Sequence, residues 1–338
     1  MKNRLLCLTL IQLFGACLLI ASEPAPTSVD RAWLGAISEA RSLLDKADYS
    51  AAVSAFESLR EEASQSFGPN SPELATAVNN LGVAYENLGR YVEAEQSYRR
   101  SLAVWQHIYG SDHEAMSWAM NNLGRFYTQT GRSSKAEPLL ERCLILRKAA
   151  YGADHPSVAV VLHNLAEVRR LQGNYASAEE LYRQALTIWE RSPESQSFSA
   201  VATCLNNLGV LYEQRKDLVS AANFLRQAIQ IWEIRLDPDH PELARGLANL
   251  GEVLSLQRRF SEAEPLYRRA LDSATASLGS EHPDVASIMY GMAKVLRNTN
   301  RKSEAKKLEN TAKTVFANHA KRNLVGQTVD VREMAAAR

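Results

Sequence analysis

Long apolar runs are scarce in this chain of 338 residues, and so is excess charge of either sign. The mean hydropathy is −0.27, which excludes a multi-span membrane protein. Lys and Arg number 39 against 38 for Asp and Glu, a formal net charge of +1. That balance excludes a nucleic-acid binder working through excess positive charge, and a strongly charged disordered tail protein. Cysteine is down to four residues, none in a CxxC pair, so neither a disulfide framework nor a zinc ribbon fits. Period-two runs are missing, which argues against strands. No GxxxxGKS or GxxxxGKT loop, GxSxG elbow or HExxH helix occurs. No motif places a carboxylate pair or a Ser/His pair either. The reading is therefore a non-enzyme with no cofactor and no metal.

The one long apolar run is at the start. Lys2 and Arg4 precede 17 uncharged residues, Leu5 to Ala21, followed by Ser22 and the helix-breaking Glu23-Pro24-Ala25-Pro26. This is the layout of a secretory signal peptide over residues 1–22, with a linker at 23–29. It predicts an exported protein, periplasmic or secreted. Two alternatives stay open. The run is at the short end for an uncleaved membrane anchor. Gly15-Ala16-Cys17 resembles the end of a lipobox, although Phe14 and the apolar Leu18-Leu19-Ile20 depart from it. A membrane partner is expected only in those two cases. Cleavage would leave Cys143 and Cys204, read as small buried helix residues rather than a bridge.

The rest of the chain repeats itself. Asn79-Asn80-Leu81-Gly82 returns as Asn121-Asn122-Leu123-Gly124 and as His163-Asn164-Leu165-Ala166. It returns again as Asn206-Asn207-Leu208-Gly209, Ala248-Asn249-Leu250-Gly251 and, worn, Tyr290-Gly291-Met292-Ala293. The period is 42, with a single 43. A second column of Ala94, Ala136, Ala178, Ala221, Ala263 and Ala305 keeps step, and projects back onto Ala52. Six repeats therefore fill 72–318, a degenerate leading one fills 30–71, and 319–338 is a cap or loose tail. The two domains that length alone predicts give way to one array.

Each unit reads as two helices. Val78, Leu81, Gly82 and Tyr85 share one side of the first, and Gly89 ends it. Tyr91, Ala94, Tyr98, Leu102 and Trp105 mark the second, which Gly110 ends. Small residues at Gly82, Gly124, Ala166, Gly209, Gly251 and Ala293 predict close helix approach. A second small column, Ser101, Cys143, Ala185, Ala228 and Ala270, takes in Cys143. At the joints, Asp154-His155-Pro156, Asp239-His240-Pro241 and Glu281-His282-Pro283 predict an acidic cap with Pro opening the next helix. Their wide spacing leaves these histidines and His113 no convergent metal ligands.

The pattern Leu81-Gly82-Val83-Ala84-Tyr85, then Ala94, Tyr98 and Ser101, resembles the tetratricopeptide repeat. The 42-residue period and the Gly-x-Asp-His-Pro joint resemble the kinesin light chain type. The resemblance covers about residues 30–318. It implies an all-α, right-handed superhelical solenoid of antiparallel helix pairs. It also implies a concave groove lined by the first helix of each pair, serving as a scaffold for a protein or peptide partner.

On that face stand Asn79, Asn121, His163 and Asn206 in one column, and Asn80, Asn122, Asn164, Asn207 and Asn249 in the next. Asn offers both a donor and an acceptor, so a ladder of them could hold the main chain of an extended peptide. The second column could equally bond between helices. Arg125, Arg170 and Arg245 would select ligand charge, and Trp118 would be a contact or pack on a neighbouring helix. Positive and negative residues on the face nearly balance, unlike the basic groove of kinesin light chains. The rival functions are a membrane-anchored envelope component and, lower, an enzyme with a site at the C-terminal end. Two departures predict a change of superhelical path or a hinge near 192–199. The joint at 192–199 lacks Gly-x-Asp-His, and the turn residues Gly89, Gly131 and Gly173 become Lys216, Arg258 and Asn300 beyond it.

Overall fold

A computed structural model describes residues 28–46, 48–192 and 197–324, which form fourteen α-helices with no strand among them. The segment read as a signal peptide lies outside these residues. The helices are α1 Ser28–Asp45, α2 Tyr49–Ser66, α3 Pro72–Asn87, α4 Tyr91–Tyr109, α5 Met116–Gln129, α6 Ser133–Tyr151 and α7 Pro156–Leu171. They continue as α8 Tyr175–Arg191, α9 Ser197–Gln214, α10 Leu218–Arg235, α11 Pro241–Leu256, α12 Phe260–Leu278, α13 Pro283–Asn298 and α14 Lys302–Leu324. Two compact units divide between Asn174 and Tyr175, one holding α1–α7 and the other α8–α14. Within each unit, every helix packs on the next in sequence. First helices of successive hairpins also touch, as α5 does α7 and α11 does α13.

The small residues have the packing role expected of them. A Cβ on Gly82 would lie 2.8 Å from the Tyr98 ring, and one on Gly124 2.7 Å from Leu140 Cγ. On Gly209 it would lie 2.6 Å from Leu225 Cγ, and on Gly251 2.9 Å from Tyr267. Within each of these hairpins a large side chain of the second helix presses onto bare backbone of the first. Ser101 and Cys143 fill the second small column. The Ser101 hydroxyl donates to Ala75 O at 2.7 Å and the Cys143 thiol to Ser117 O at 3.2 Å. Cys143 and Cys204, the cysteines among the described residues, are buried and form no disulfide. Burial pushes the Cys143 thiol up to about 11, against the opposing pull of Arg147.

The joints correct the sequence reading. The cap is the histidine, not the acid before it. His155, His240 and His282 are the N-caps of α7, α11 and α13, each followed by Pro at the first helical position. Their Nδ1 atoms accept backbone N–H groups of Ser157, Glu242 and Asp284 at 3.2, 3.2 and 3.1 Å. The reason is register. Proline has no N–H, so a cap must reach the next one, and the acid stands one residue too early to do so.

The turns inside the hairpins do not change where the sequence does. Gly89, Gly131 and Gly173 have φ of 75°, 74° and 77°, and Lys216, Arg258 and Asn300 have 66°, 63° and 64°. The hinge expected at 192–199 falls partly on residues 193–196, outside those described. The last hairpin is polar where earlier ones carry Tyr98, Tyr182 and Tyr267. Glu309 replaces the usual aromatic and holds Arg297 with two bonds of 2.6 Å. Among the described residues no helix is long and apolar enough to cross a membrane.

Candidate functional site

The first helices carry both asparagine columns, and the structure joins the columns to each other. Asn122 Nδ2 donates to Asn79 Oδ1 at 3.1 Å, Asn164 to Asn121 at 2.9 Å, and Asn249 to Asn206 at 3.0 Å. Each rung thus runs from the second column of one repeat to the first column of the repeat before. Each also pairs a buried amide with a half-buried one. Asn122, Asn121 and Asn206 are buried, whereas Asn79, Asn164 and Asn249 reach solvent. Asn206 also donates to Asn207 Oδ1 at 3.2 Å, and His163 and Asn207 are half-buried.

Asn80 stands apart. It is buried, yet its Nδ2 has no hydrogen-bond partner. One period back, the first-column position is Ile37, a buried apolar residue of α1. The ladder's first rung has a donor and no acceptor.

The charged residues of the face are already engaged. Arg125 forks onto Glu86, Nη1 at 2.9 Å and Nη2 at 3.0 Å, and also reaches Gln129 at 3.0 Å. The Tyr98 hydroxyl donates to the same Glu86 at 2.6 Å. Burial first, then the Glu86 charge, holds that phenol well above its ordinary range. Arg170 pairs with Glu167 at 2.9 Å, and Arg245 with Glu242. Lys294 pairs with Glu252 at 3.0 Å, which also accepts from Tyr267 at 2.9 Å. Trp118 is half-buried, with the Arg147 guanidinium 4.6 Å from its ring centroid.

Two features escaped the sequence reading. Arg147 is almost wholly buried at a position that three other repeats fill with Trp105, Trp189 and Trp232. It reaches Ser157 O at 2.8 Å and Ser117 Oγ at 3.3 Å. The second is a carboxylate that follows the small alanine in four of the second helices. Glu95 takes the Tyr127 hydroxyl at 2.7 Å and Arg132 at 2.5 Å from the next hairpin. Glu179 takes Tyr212 at 2.6 Å and Arg215 at 2.5 Å. Glu137 takes Arg169 at 2.5 Å, and Glu264 takes Arg301 at 2.6 Å. Recurrence of Glu95, Glu137, Glu179 and Glu264 in step with the alanine column was the available signal. At Glu95 burial raises the pKa, and the bonds from Tyr127 and Arg132 outweigh it and hold the carboxyl below its usual range.

Stacked helical hairpins, small residues at each crossing and a polar ladder between first helices define a repeat scaffold. The tetratricopeptide repeat family model matches residues 73–149, 125–191, 158–234, 200–276 and 242–317, and a second model of that family matches 37–107. The chain belongs to the tetratricopeptide repeat family, a fold that typically serves protein–protein interaction. A kinesin light chain-like protein from Podosopora anserina with nearly identical TPR-like repeats is similar in structure. Its TM-score is 0.51 at 21% identity, over 62% of this chain and 99% of that one. A Rap protein complexed with competence and sporulation factor gives 0.61 at 13% identity, covering 90% of each chain. The apo quorum sensor NprR from B. thuringiensis gives 0.58 at 13%, over 84% and 87%. At these identities the likeness shows the fold alone. No curated protein matches the chain.

Proposed function

We propose that this protein is an exported adaptor that holds an extended peptide segment of a partner along the ladder-bearing faces of its first helices. The observation that carries the reading is the half-used rung. Each rung consumes one end of its half-buried amide. Asn79 keeps its N–H donors, and Asn164 and Asn249 keep their carbonyl oxygens. Donors and acceptors of that kind suit a peptide main chain. The buried members, Asn121, Asn122 and Asn206, hold the half-buried ones in place.

The occupant is not selected by net charge. Arg125, Arg170 and Arg245 each have a carboxylate of the array within pairing distance. Binding should therefore depend only weakly on salt, because no unpaired cation of this group meets the ligand. A Rap protein of similar fold is solved in complex with competence and sporulation factor, which supports a fold of this kind taking a ligand. Export rests on the charge and hydropathy pattern of residues 1–22.

The test is capture of partners from the exported fraction, with mass spectrometry reading the mature N-terminus. Asn79→Ala and Asn164→Ala should each weaken capture about tenfold, as the loss of one or two hydrogen bonds to a ligand does. Helical circular dichroism should not change. Unchanged capture by both variants would sink the groove reading. An intact Met1 in the captured protein would sink export by cleavage.

A further inference from the structure

The joint histidines cap helices through a nitrogen that acid protonates. We propose that His155 and His240, one in each unit, make the array acid-sensitive: once these imidazoles are protonated their caps are lost and the first turns of α7 and α11 loosen. A cap accepts a hydrogen bond, and Nδ1 accepts only in the neutral imidazole. The imidazolium also places a positive charge against the positive end of the helix. Both effects act in one direction.

The surroundings single these two out. His155 Nδ1 lies 3.2 Å from Ser157 N and 2.8 Å from Ser157 Oγ, with the Tyr151 ring stacked at 4.9 Å. Charged groups near it are Asp154, next to it in the chain, Glu114, which accepts the hydroxyl of the stacked Tyr151, and the buried Arg147. Arg147 bonds Ser157 O at 2.8 Å and so places a cation by the same turn. His240 is buried, and its charged surroundings are Glu242, Asp237 and Arg245. Burial, helped by Arg245, depresses its pKa, and Glu242 and Asp237 oppose that without reversing it. His282 differs. Asp284 lies 3.7 Å from its Nδ1, so protonation there exchanges a cap for an ion pair. His113 accepts Ala115 N at 3.2 Å between Asp112 and Glu114, and α5 starts only beyond it at Met116.

Folding with a neutral, bonded imidazole expels a proton. The contribution to stability is therefore complete above the unfolded imidazole value, and is lost as pH falls through the folded value. α7 and α11 also carry Asn164 and Asn249, so an occupant of the groove, if the proposed function holds, would be released in acid.

Amide exchange on the free full chain tests this with no partner present. Corrected for intrinsic rates, protection at Ser157 and Glu242 should fall about fivefold between pH 7.5 and 5.5, as loss of a cap implies. Asn caps at any pH, so the double variant His155→Asn, His240→Asn should keep that protection and melt at nearly the same temperature at both pH values. His282→Asn should leave the acid response as it is. Equal protection of Ser157 and Glu242 at both pH values in the wild type would overturn the proposal, whether or not the variant folds. So would a folded double variant that still responds to acid as the wild type does.

Discussion

The two units solve the same turn with different residues. In the N-terminal unit the hairpin turns are Gly89, Gly131 and Gly173, and in the C-terminal unit Lys216, Arg258 and Asn300. All six stand at positive φ. The bonds match too. Arg90 N donates to Tyr85 O at 2.9 Å and Asp217 N to Tyr212 O at 3.0 Å, the six-residue closure of a Schellman turn in both cases. Lys and Arg, which disfavour this conformation, did not alter it. At Gly89, Gly131, Lys216 and Arg258 the turn is imposed by the two helices it joins, which are locked at the crossings of Gly82, Gly124, Gly209 and Gly251.

That explanation is broken most directly at the crossings. Gly124→Ala and Gly209→Ala put a methyl within 3.0 Å of Leu140 and Leu225. Alanine improves helix propensity by about 1 kcal/mol, and overpacking costs about 1–3 kcal/mol. Overpacking should win, because at both sites the methyl meets the branched carbon of the leucine rather than its tip. Each variant should lower the urea midpoint, and by similar amounts in the two units. A site that gained stability would show that its crossing is loose and that its turn is not imposed from outside.

A smaller effect should follow from exchanging the turns. Lys216→Gly and Arg258→Gly relieve a left-handed conformation that costs a side-chain-bearing residue about 1 kcal/mol. They should raise the melting temperature, and Gly89→Lys or Gly131→Lys should lower it by a comparable step. Asn300→Gly should do little, because Asn tolerates this region. If all three glycine variants were neutral, the C-terminal turns would not be strained, and the contrast between the units would be one of sequence only.

These cases show what the sequence could and could not announce. The period, the helix pairs, the turn positions and the small columns were legible, because each is a backbone requirement repeated at 42-residue spacing. The change from Gly to Lys pointed to a hinge, because local propensity says nothing of the crossing that overrides it. The joint acid was read as a cap from preference alone, whereas the proline fixes which N–H is available and hence that His155 reaches it. At the site, the amide columns were visible but not their partners. A rung joins Asn122 to Asn79 across a whole repeat, and which amide faces which depends on the stagger between hairpins. Arg125 was visible as a charge, while Glu86 neutralises it from the previous hairpin.

The ladder itself offers the finest test, since α1 lacks the acceptor that α3 supplies in Asn79. Asn122 has an acceptor in Asn79, and Asn80 faces the period that holds Ile37. A buried donor left unsatisfied costs about 1–3 kcal/mol, whereas an apolar group of similar shape in its place is close to neutral. Asn80→Leu should therefore be neutral or stabilise by up to about 1 kcal/mol, once the cost of fitting its branched end is included. Asn122→Leu should destabilise by about 1–2 kcal/mol, because it removes the rung's donor from Asn79 and must fit the same volume. The opposite signs matter more than the sizes. Chemical denaturation of the two variants side by side reads them. Equal destabilisation would mean that Asn80 finds an acceptor in solution, and that the ladder begins one hairpin earlier than its hydrogen bonds indicate.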